Sequence, residues 1–257
     1  MRSIVRPSEQ PPGPAARLLR GAGLVARVRP WPHTPTLAHL VTLDQQLPLP
    51  SAVLRSWLND LVREGYTHVR TGALAPSHRS PYDALGFVVA QQLTLLHLDL
   101  RSPIARRSRA AGRATTVALR RHHVVELPLL ARVDASAFPP GWGLDASGLL
   151  EAARATPSSR IRVATAGGQV VGLAISGRSG SASFLQRLAV QPSYQRSGAG
   201  TALVGDAVSW ARHWRSRAMA VNTQHDNEPA LALYRRLGFE PSPTPLVVLE
   251  RTLSGEL

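Results

Sequence analysis

The residues best suited to bind an anionic group are Gly198 and Gly200, in the segment QPSYQRSGAG directly before a predicted helix. Backbone without side chains lets several N–H groups converge on an anion, and the helix N-terminus adds partial positive charge. A plain strand-to-helix turn would use the same residues. The loop alone therefore does not decide between a phosphate site and a simple turn.

Two common nucleotide-binding loops are excluded by composition and spacing. A Walker A loop needs a Gly-Lys pair, and the chain contains no lysine. A dinucleotide fingerprint follows its strand directly and needs a third glycine. Here seven residues separate Val190 from Gly198, and Leu203 occupies the third position. A ligand of this loop must belong to another class.

The glycine loop lies within a regular series of predicted elements. Alternating apolar residues predict strands over RIRVATA, QVVGLAISG and SASFLQRLAV before the loop. After it we predict a helix from about Thr201 to Trp214, a strand over AMAVNTQ, a second helix from about Asn227 and a final strand over PLVVLERTL. The inward face of the first helix is expected to carry Leu203, Ala207, Trp210, Ala211 and Trp214.

The second helix ends in the hexamer YRRLGF, residues 234–239. Its apolar positions recur at i, i+3, i+4 and i+7, which turns Tyr234 inward. These positions are Ala230, Leu233, Tyr234 and Leu237. Gly238 is expected to end the helix in a left-handed conformation, with Phe239 folded back on the last turn.

The first half of the chain repeats the back end of this series. YDALGF at 82–87 nearly repeats the hexamer, and AHLVTL, THVRT and VVAQQLTLLHLDL are predicted strands. A helix capped by Ser51 has Leu54, Trp57, Leu58 and Leu61 on one face. The correspondence of residues 50–100 with 200–253 predicts a tandem of one α/β fold, with a mixed sheet flanked by helices.

The glycine loop is the part that the first half does not repeat. No glycine occurs between Gly23 and Gly65, and Pro48 and Pro50 remove two backbone N–H groups at the corresponding point. A loop without free, closely approachable amides cannot wrap a pyrophosphate. We therefore predict a degenerate half over residues 1–104, a linker over 105–118 and a catalytic domain over 119–257.

Charge is concentrated near the predicted linker. Residues 101–121 carry seven arginines and no acid, which is half of the net charge of +14. Such a segment could bind nucleic acid or another polyanion, but a solvated basic linker is the favoured interpretation.

Several classes of site and location are excluded. The absence of cysteine removes disulfides, thiolate metal sites and acyl-cysteine catalysis. The pair His122 and His123 has no third ligand at useful spacing, so no metal is expected. No apolar run approaches the length of a bilayer crossing, and we do not expect the basic N-terminus to be a secretion signal. We expect a cytoplasmic monomer or homodimer without a membrane partner.

The run RLAVQPSYQRSGAGTAL followed by NEPALALYRRLGF resembles the GCN5-related N-acetyltransferase (GNAT) superfamily. Gln195, Gly198 and Gly200 match its acetyl-CoA loop. Its second signature is matched by Asn227, Ala230, Leu233, Tyr234, Gly238 and Phe239. The resemblance covers about residues 120–257 well and the first half weakly. It implies the GNAT fold in two tandem copies, with acetyl-CoA as the acyl donor.

The resemblance also implies roles for single residues. Backbone groups of Leu188, Ala189 and Val190 would bind the pantetheine arm, and Asn227 would help to fix the cofactor. The pyrophosphate would be held by Gln195, Arg196, Ser197, Gly198, Ala199, Gly200 and Thr201. An amine would attack the thioester directly, the Val190 amide would stabilise the oxyanion, and Tyr234 would protonate the departing thiolate.

One position departs from the family pattern. Some members have a glutamate base five residues before the signature Asn, and this chain has Asn222 there. The base is therefore unassigned, and the candidates are Asp134, Asp145, Glu151, His225 and an ordered water.

The acceptor site of the family is formed largely by the first helices and the loop between them. Asp134, Asp145, Glu151 and Asn222 could contact a cationic amine there, with Phe138 and Trp142 lining the wall. Helix-surface acids and core aromatics are the alternative interpretation.

Together these features predict an N-acetyltransferase acting on a primary amine of a small molecule or a protein. The alternative is a non-catalytic module on the same fold, which senses acyl-CoA or docks on nucleic acid or the ribosome.

Overall fold

The structure is a computed structural model that describes residues 16–43, 47–103, 105 and 117–255. Most of the predicted linker, residues 106–116, lies outside this part of the chain. The division of the chain into residues 1–104, 105–118 and 119–257 therefore stays a prediction. None of the helices described is long and apolar enough to cross a membrane.

The N-terminal half consists of a strand meander, a long helix and a final long strand. Its elements are β1 (Arg17–Gly21), β2 (Leu24–Trp31), β3 (Thr34–Thr42), α1 (Ser51–Arg63), β4 (His68–Thr71), α2 (Ser80–Asp83) and β5 (Val88–Asp99). The apolar stripe predicted for α1 is buried, since Leu54, Trp57, Leu58 and Leu61 are all at most 1% exposed.

The C-terminal half begins with a short strand and two helices that the other half lacks among its described residues. These are β6 (Ala118–Arg121), α3 (Leu127–Ala137) and α4 (Ala146–Arg154). The remaining elements are β7 (Ser158–Ala166), β8 (Gln169–Ser179), β9 (Ala182–Val190), α5 (Ala199–His213), β10 (Ala218–Gln224), α6 (Glu228–Arg236), β11 (Glu240–Pro241) and β12 (Leu246–Thr252).

One mixed sheet runs through both halves. Its strand order is β1-β2-β3-β4-β12-β5-β10-β9-β8-β7-β6, and β11 adds to β5. The only parallel pairs among the described strands are β3 with β4 and β9 with β10. Each parallel pair is joined through a helix, α1 or α5, as parallel connections require. This repeated unit confirms the tandem α/β fold.

The last strands of the two halves are exchanged. β12 pairs with β4 of the N-terminal half, and β5 pairs with β10 of the C-terminal half. Packing follows the exchange: Val247, Leu249 and Leu253 join the core under α1, whereas Leu96 and Leu98 join the core under α5 and α6. Each core is thus completed by residues from the other half of the sequence.

The two faces of the sheet are covered by different helices. α5 and α6 pack on one face, in a core with Leu96, Val221 and Tyr234. α3 and α4 pack on the opposite face, over Val163 and Leu173. The predicted inward position of Trp214 is wrong, because α5 ends at His213 and the Trp214 side chain is 47% exposed.

Both hexamers form the same helix-ending turn. The Phe239 N–H donates to the Tyr234 carbonyl over 3.0 Å, and the Gly238 N–H donates to the Arg235 carbonyl over 2.9 Å. YDALGF makes the equivalent pair of bonds, from Phe87 to Tyr82 and from Gly86 to Asp83, at 3.1 and 3.0 Å. Gly238 and Gly86 have φ angles of 83° and 74°, which glycine adopts without steric cost. The repeated hexamer is therefore a shared folding element.

Candidate active site

The glycine loop connects β9 to α5 through a sharply turned backbone. Arg196 and Gly198 both have left-handed conformations, with φ of 62° and 92°. The Ser197 hydroxyl donates to the Tyr194 carbonyl over 2.6 Å and closes the turn. The first N–H groups of α5, beginning at Ala199, have no partner within a helix and carry the positive end of its dipole. Loops of this kind at a helix N-terminus commonly bind anions.

Gly200 also faces a neighbouring side chain, a contact that the sequence did not reveal. A β-carbon at this position would lie 3.1 Å from Cδ2 of Leu233 and 4.0 Å from Cγ2 of Val190. A glycine here lets the first turn of α5 pack closely against α6. We expected Gly200 to allow close approach of a ligand, and the structure shows that it also joins the two helices.

A cleft opens between β9 and β10 next to this loop. The parallel pairing of the two strands ends at Leu185 and Val221, so Leu188, Ala189 and Val190 continue beyond the last paired residue. On the other side of β9, the Gln191 N–H donates to the Val171 carbonyl of β8 over 2.9 Å.

This bond determines which backbone groups face the cleft. Hydrogen-bonded and non-hydrogen-bonded pairs alternate along an antiparallel ladder. Since Gln191 is bonded to β8, the register pairs of Val190 with Gly172 and of Leu188 with Ala174 are the non-bonded ones. The N–H and C=O groups of Leu188 and Val190 therefore point away from β8, towards the cleft.

Tyr234 lies in the same apolar cluster as the cleft strand and the loop helix. The cluster contains Tyr234 and Ala199, and Leu188 and Val190 pack against it. The Tyr234 side chain is 4% exposed, and its ring lies 5.7 Å from that of Phe239. Burial raises the pKa of the Tyr234 phenol above its usual value of 10.0, so the hydroxyl stays protonated at neutral pH.

Asn227 caps α6 at the mouth of the cleft. Its side-chain oxygen accepts a hydrogen bond from the Ala230 N–H over 3.2 Å, and its amide nitrogen lies 3.4 Å from Oε1 of Gln224. One turn into α5, the Thr201 hydroxyl accepts a hydrogen bond from Arg236 of α6 over 3.1 Å. These contacts join the predicted cofactor residues to the two helices.

Comparison with known proteins relates the segment that contains the loop, the cleft strand and Tyr234 to a protein family. The sequence model of the acetyltransferase (GNAT) family matches residues 127–239, which include the loop, the cleft strand and Tyr234. Residues 127–239 are thus similar in sequence to a GNAT domain. No protein of curated function matches the sequence.

Solved GNAT structures share the architecture of the whole chain. The tandem GNAT protein from the clavulanic acid biosynthesis pathway superposes with a TM-score of 0.65 at 16% identity, over 95% of this chain and 85% of that one. A GCN5-related N-acetyltransferase from Kribbella flavida gives 0.59 at 16%, over 95% and 91%. One from Sphaerobacter thermophilus gives 0.61 at 13%, over 91% and 78%. These structural superpositions show the fold, which is the GNAT fold in two tandem copies.

The three acids predicted near the GNAT acceptor side are all engaged by protein groups. Asp134 is fully buried, accepts two hydrogen bonds from Arg187 at 2.7 and 2.6 Å, and accepts a third from the Leu144 N–H at 2.7 Å. Asp145 caps α4 by accepting from the Gly148 N–H over 2.6 Å. Glu151 forms an ion pair with Arg29.

This pairing differs from what the sequence suggested. We expected Asp134 to attract a cationic amine, whereas its buried carboxylate holds Arg187 and the following loop in place. Phe138 and Trp142 do lie together, since Arg187 stacks over the Phe138 ring at 3.4 Å and donates to the Trp142 carbonyl over 2.8 Å. Asn222 is exposed on β10, and its alternation with buried Val221 places it on the face opposite α5 and α6.

Sequence reasoning missed the basic partners of these acids. Arg187, the partner of Asp134, directly precedes Leu188, and Arg29, the partner of Glu151, belongs to the N-terminal half. A buried Asp must be paired, but the burial of Asp134 was not visible in the sequence, so its arginine partner could not have been anticipated. Among the described residues, no three His, Cys, Asp or Glu side chains are grouped to hold a metal ion.

Proposed function

We propose that this protein is an N-acetyltransferase that uses acetyl-CoA to acetylate a primary amine. The observation that carries the proposal is the orientation of Leu188 and Val190, whose backbone groups face the cleft between β9 and β10. The pantetheine arm would pair with these groups like an added strand. The loop from Gln195 to Thr201 would hold the pyrophosphate at the start of α5.

The reaction would proceed by direct attack. The nitrogen of the neutral amine forms a bond to the thioester carbon, and the resulting oxyanion accepts a hydrogen bond from the Val190 N–H. Collapse of the tetrahedral intermediate breaks the carbon–sulfur bond, and the thiolate takes the proton of the Tyr234 hydroxyl. The nitrogen gives up one proton to the base as the amide forms, and this proton returns to the Tyr234 phenolate through solvent. The raised pKa of Tyr234 ensures that this proton is present in the free enzyme.

Three of the candidates for the base that deprotonates the amine already have partners within the protein. Asp134, Asp145 and Glu151 are engaged by Arg187, by Gly148 and by Arg29. We therefore favour His225, which is exposed just after β10, or an ordered water. Asn222 on the same strand would contact the acceptor.

Recognition of the amine would rest on packing more than on charge. The carboxylates near the α3–α4 loop are paired, and the Phe138 and Trp142 rings each have a guanidinium over one face, so an acceptor would contact the remaining ring surface. Acceptors of the small-molecule and the protein class both fit this description. We keep the cytoplasm as the proposed location.

Release of free thiol from acetyl-CoA tests the function. The purified protein is incubated with acetyl-CoA and tyramine, spermidine or a peptide with N-terminal alanine, and thiol release above the amine-free rate is measured. Amine-dependent release is expected with at least one of the three. Tight acetyl-CoA binding without amine-dependent release would instead favour a non-catalytic acyl-CoA sensor.

A further inference from the structure

The α3–α4 loop, residues 138–145, is attached to the N-terminal half by an aromatic and guanidinium stack. The Arg70 guanidinium lies 4.7 Å from the Trp31 ring centroid and 4.6 Å from that of Trp142. The two tryptophan rings meet edge to face at 5.6 Å. The Trp31 indole N–H also donates to the Gly141 carbonyl. Trp142 of the C-terminal half is thus held by two residues of the other half.

The stack is held in turn by the exchanged strand. Arg70 donates to Glu250 of β12 over 2.8 Å, and their side chains are only 14% and 27% exposed. Register places Glu250 beside Arg70, and Arg70 beside His39 on β3. Burial and the neighbouring Arg29 lower the pKa of His39 to about 3, so His39 adds no positive charge next to Arg70 at neutral pH. The Arg70 guanidinium therefore has one anionic partner and two aromatic faces.

Trp142 is also attached to the strand beside the cleft, through its backbone. Arg187 donates to the Trp142 carbonyl over 2.8 Å and is the residue directly before Leu188. The loop therefore reaches from the cleft strand β9 to β4 of the N-terminal half. A second tie lies nearby, where Glu151 of α4 pairs with Arg29 of β2, both largely buried.

The position of the loop relative to the cleft indicates what it does. Leu188 and Val190 pack towards α5 and α6, whereas Ala189 belongs to the core under α3. Helices α5 and α6 already cover the first of these faces. An attacking amine must therefore approach the thioester from the α3 face, where Arg187 and Trp142 lie.

We propose that Trp31 and Arg70 are positioning residues of the acceptor site, through which the N-terminal half holds Trp142 in the wall that the amine contacts. This proposal rests on the proposed function. It gives the half without a glycine loop a direct part in the reaction of the other half. Acetyl-CoA would be held by backbone groups of Leu188 and Val190 and by the loop before α5, so its affinity is not expected to depend on the stack.

The decisive variant is Arg70→Lys, which keeps a cation for Glu250 but loses the planar group that stacks on two rings. We expect the KM for the accepted amine to rise about tenfold, with kcat and acetyl-CoA affinity within about twofold of wild type. Arg17→Ala is the matched control, because Arg17 is also an ion-paired arginine of the N-terminal half but is far more exposed. The probe is whichever of tyramine, spermidine and the alanine peptide the wild type acetylates.

Hydrogen exchange at the α3–α4 loop tests whether the stack holds the loop, and it needs no amine substrate. The Trp142 N–H donates to the Pro139 carbonyl over 3.0 Å, and this amide should exchange at least about tenfold faster in Arg70→Lys than in Arg17→Ala. Equal exchange in the two variants would overturn the proposal, as would a lowered kcat at unchanged KM. A wild type that acetylates none of the amines contradicts the proposed function, and the exchange result then still decides whether Arg70 holds the loop.

Discussion

The two halves of this protein share a helix-ending hexamer but differ in the segment before the long helix. In the C-terminal half that segment contains the left-handed residues Arg196 and Gly198. In the N-terminal half, α1 begins directly after Pro50, and no side chain caps it. The comparison teaches that the hexamer preserves the fold, whereas the loop distinguishes the two copies and is the segment that we propose binds the anionic part of the cofactor.

The N-terminal copy has a cavity where the other copy has its loop, but of a different character. It measures about 340 Å³ and is lined by residues such as Leu24, Pro48, Leu74 and Tyr82. Its described lining includes neither glycine nor arginine. A pyrophosphate placed there would find few free amides and no guanidinium.

The largest effect is expected from Tyr234→Phe. The ring would still pack against Phe239, but the thiolate would lose its proton donor. Turnover should fall on the order of 10²-fold or more, with acetyl-CoA affinity little changed. Steady-state thiol release and a binding titration measure both quantities. Normal turnover in this variant would remove Tyr234 from the mechanism.

Gly200→Val should lower acetyl-CoA affinity by more than about tenfold, a loss of about 1.4 kcal/mol. The new side chain would meet Leu233 and disturb the first turn of α5. Gly168→Val is the control, because Gly168 has a φ of 78° and lies in a hairpin away from the loop. It should lower the melting temperature without changing affinity, as measured by fluorescence titration. Affinity of Gly200→Val within about threefold of wild type would contradict the loop assignment.

Calorimetry should show one acetyl-CoA bound per chain. The C-terminal half has a glycine loop next to a strand edge, whereas the N-terminal half has no glycine between Gly23 and Gly65. Two sites of similar affinity would refute the proposal that only the C-terminal half binds acetyl-CoA.

The smallest effect is expected from Tyr82→Phe. The Tyr82 side chain is 2% exposed, and its hydroxyl lies near Thr42 without a hydrogen bond of normal geometry to any described residue. Removing a buried hydroxyl without a partner costs little and can stabilise the fold. Turnover should stay near wild type, and the melting temperature should stay equal or rise. A slow Tyr82→Phe would show that the N-terminal copy takes part in the chemistry.

Local patterns in the sequence determined many of the helices, strands and turns of this protein. The stripe of Leu54, Trp57, Leu58 and Leu61 predicted α1, and Gly238 predicted a left-handed turn that Gly86 repeats in the structure. These features depend on interactions within a few residues, which the order of side chains specifies directly. The tandem α/β fold followed from the repetition of such patterns.

Only the tertiary structure decided how the two copies are joined. Either last strand could pair with either half, because β5 and β12 both carry apolar residues at alternating positions, and the exchange is set by packing across the whole sheet. The tertiary structure also decided which acidic side chains are buried and paired. Asp134 looks like any helix-surface carboxylate in the sequence, but it is buried against Arg187, 53 positions away. Arg70, Trp31 and Trp142 likewise meet only because the sheet brings distant segments together, and sequence spacing carries no record of such contacts.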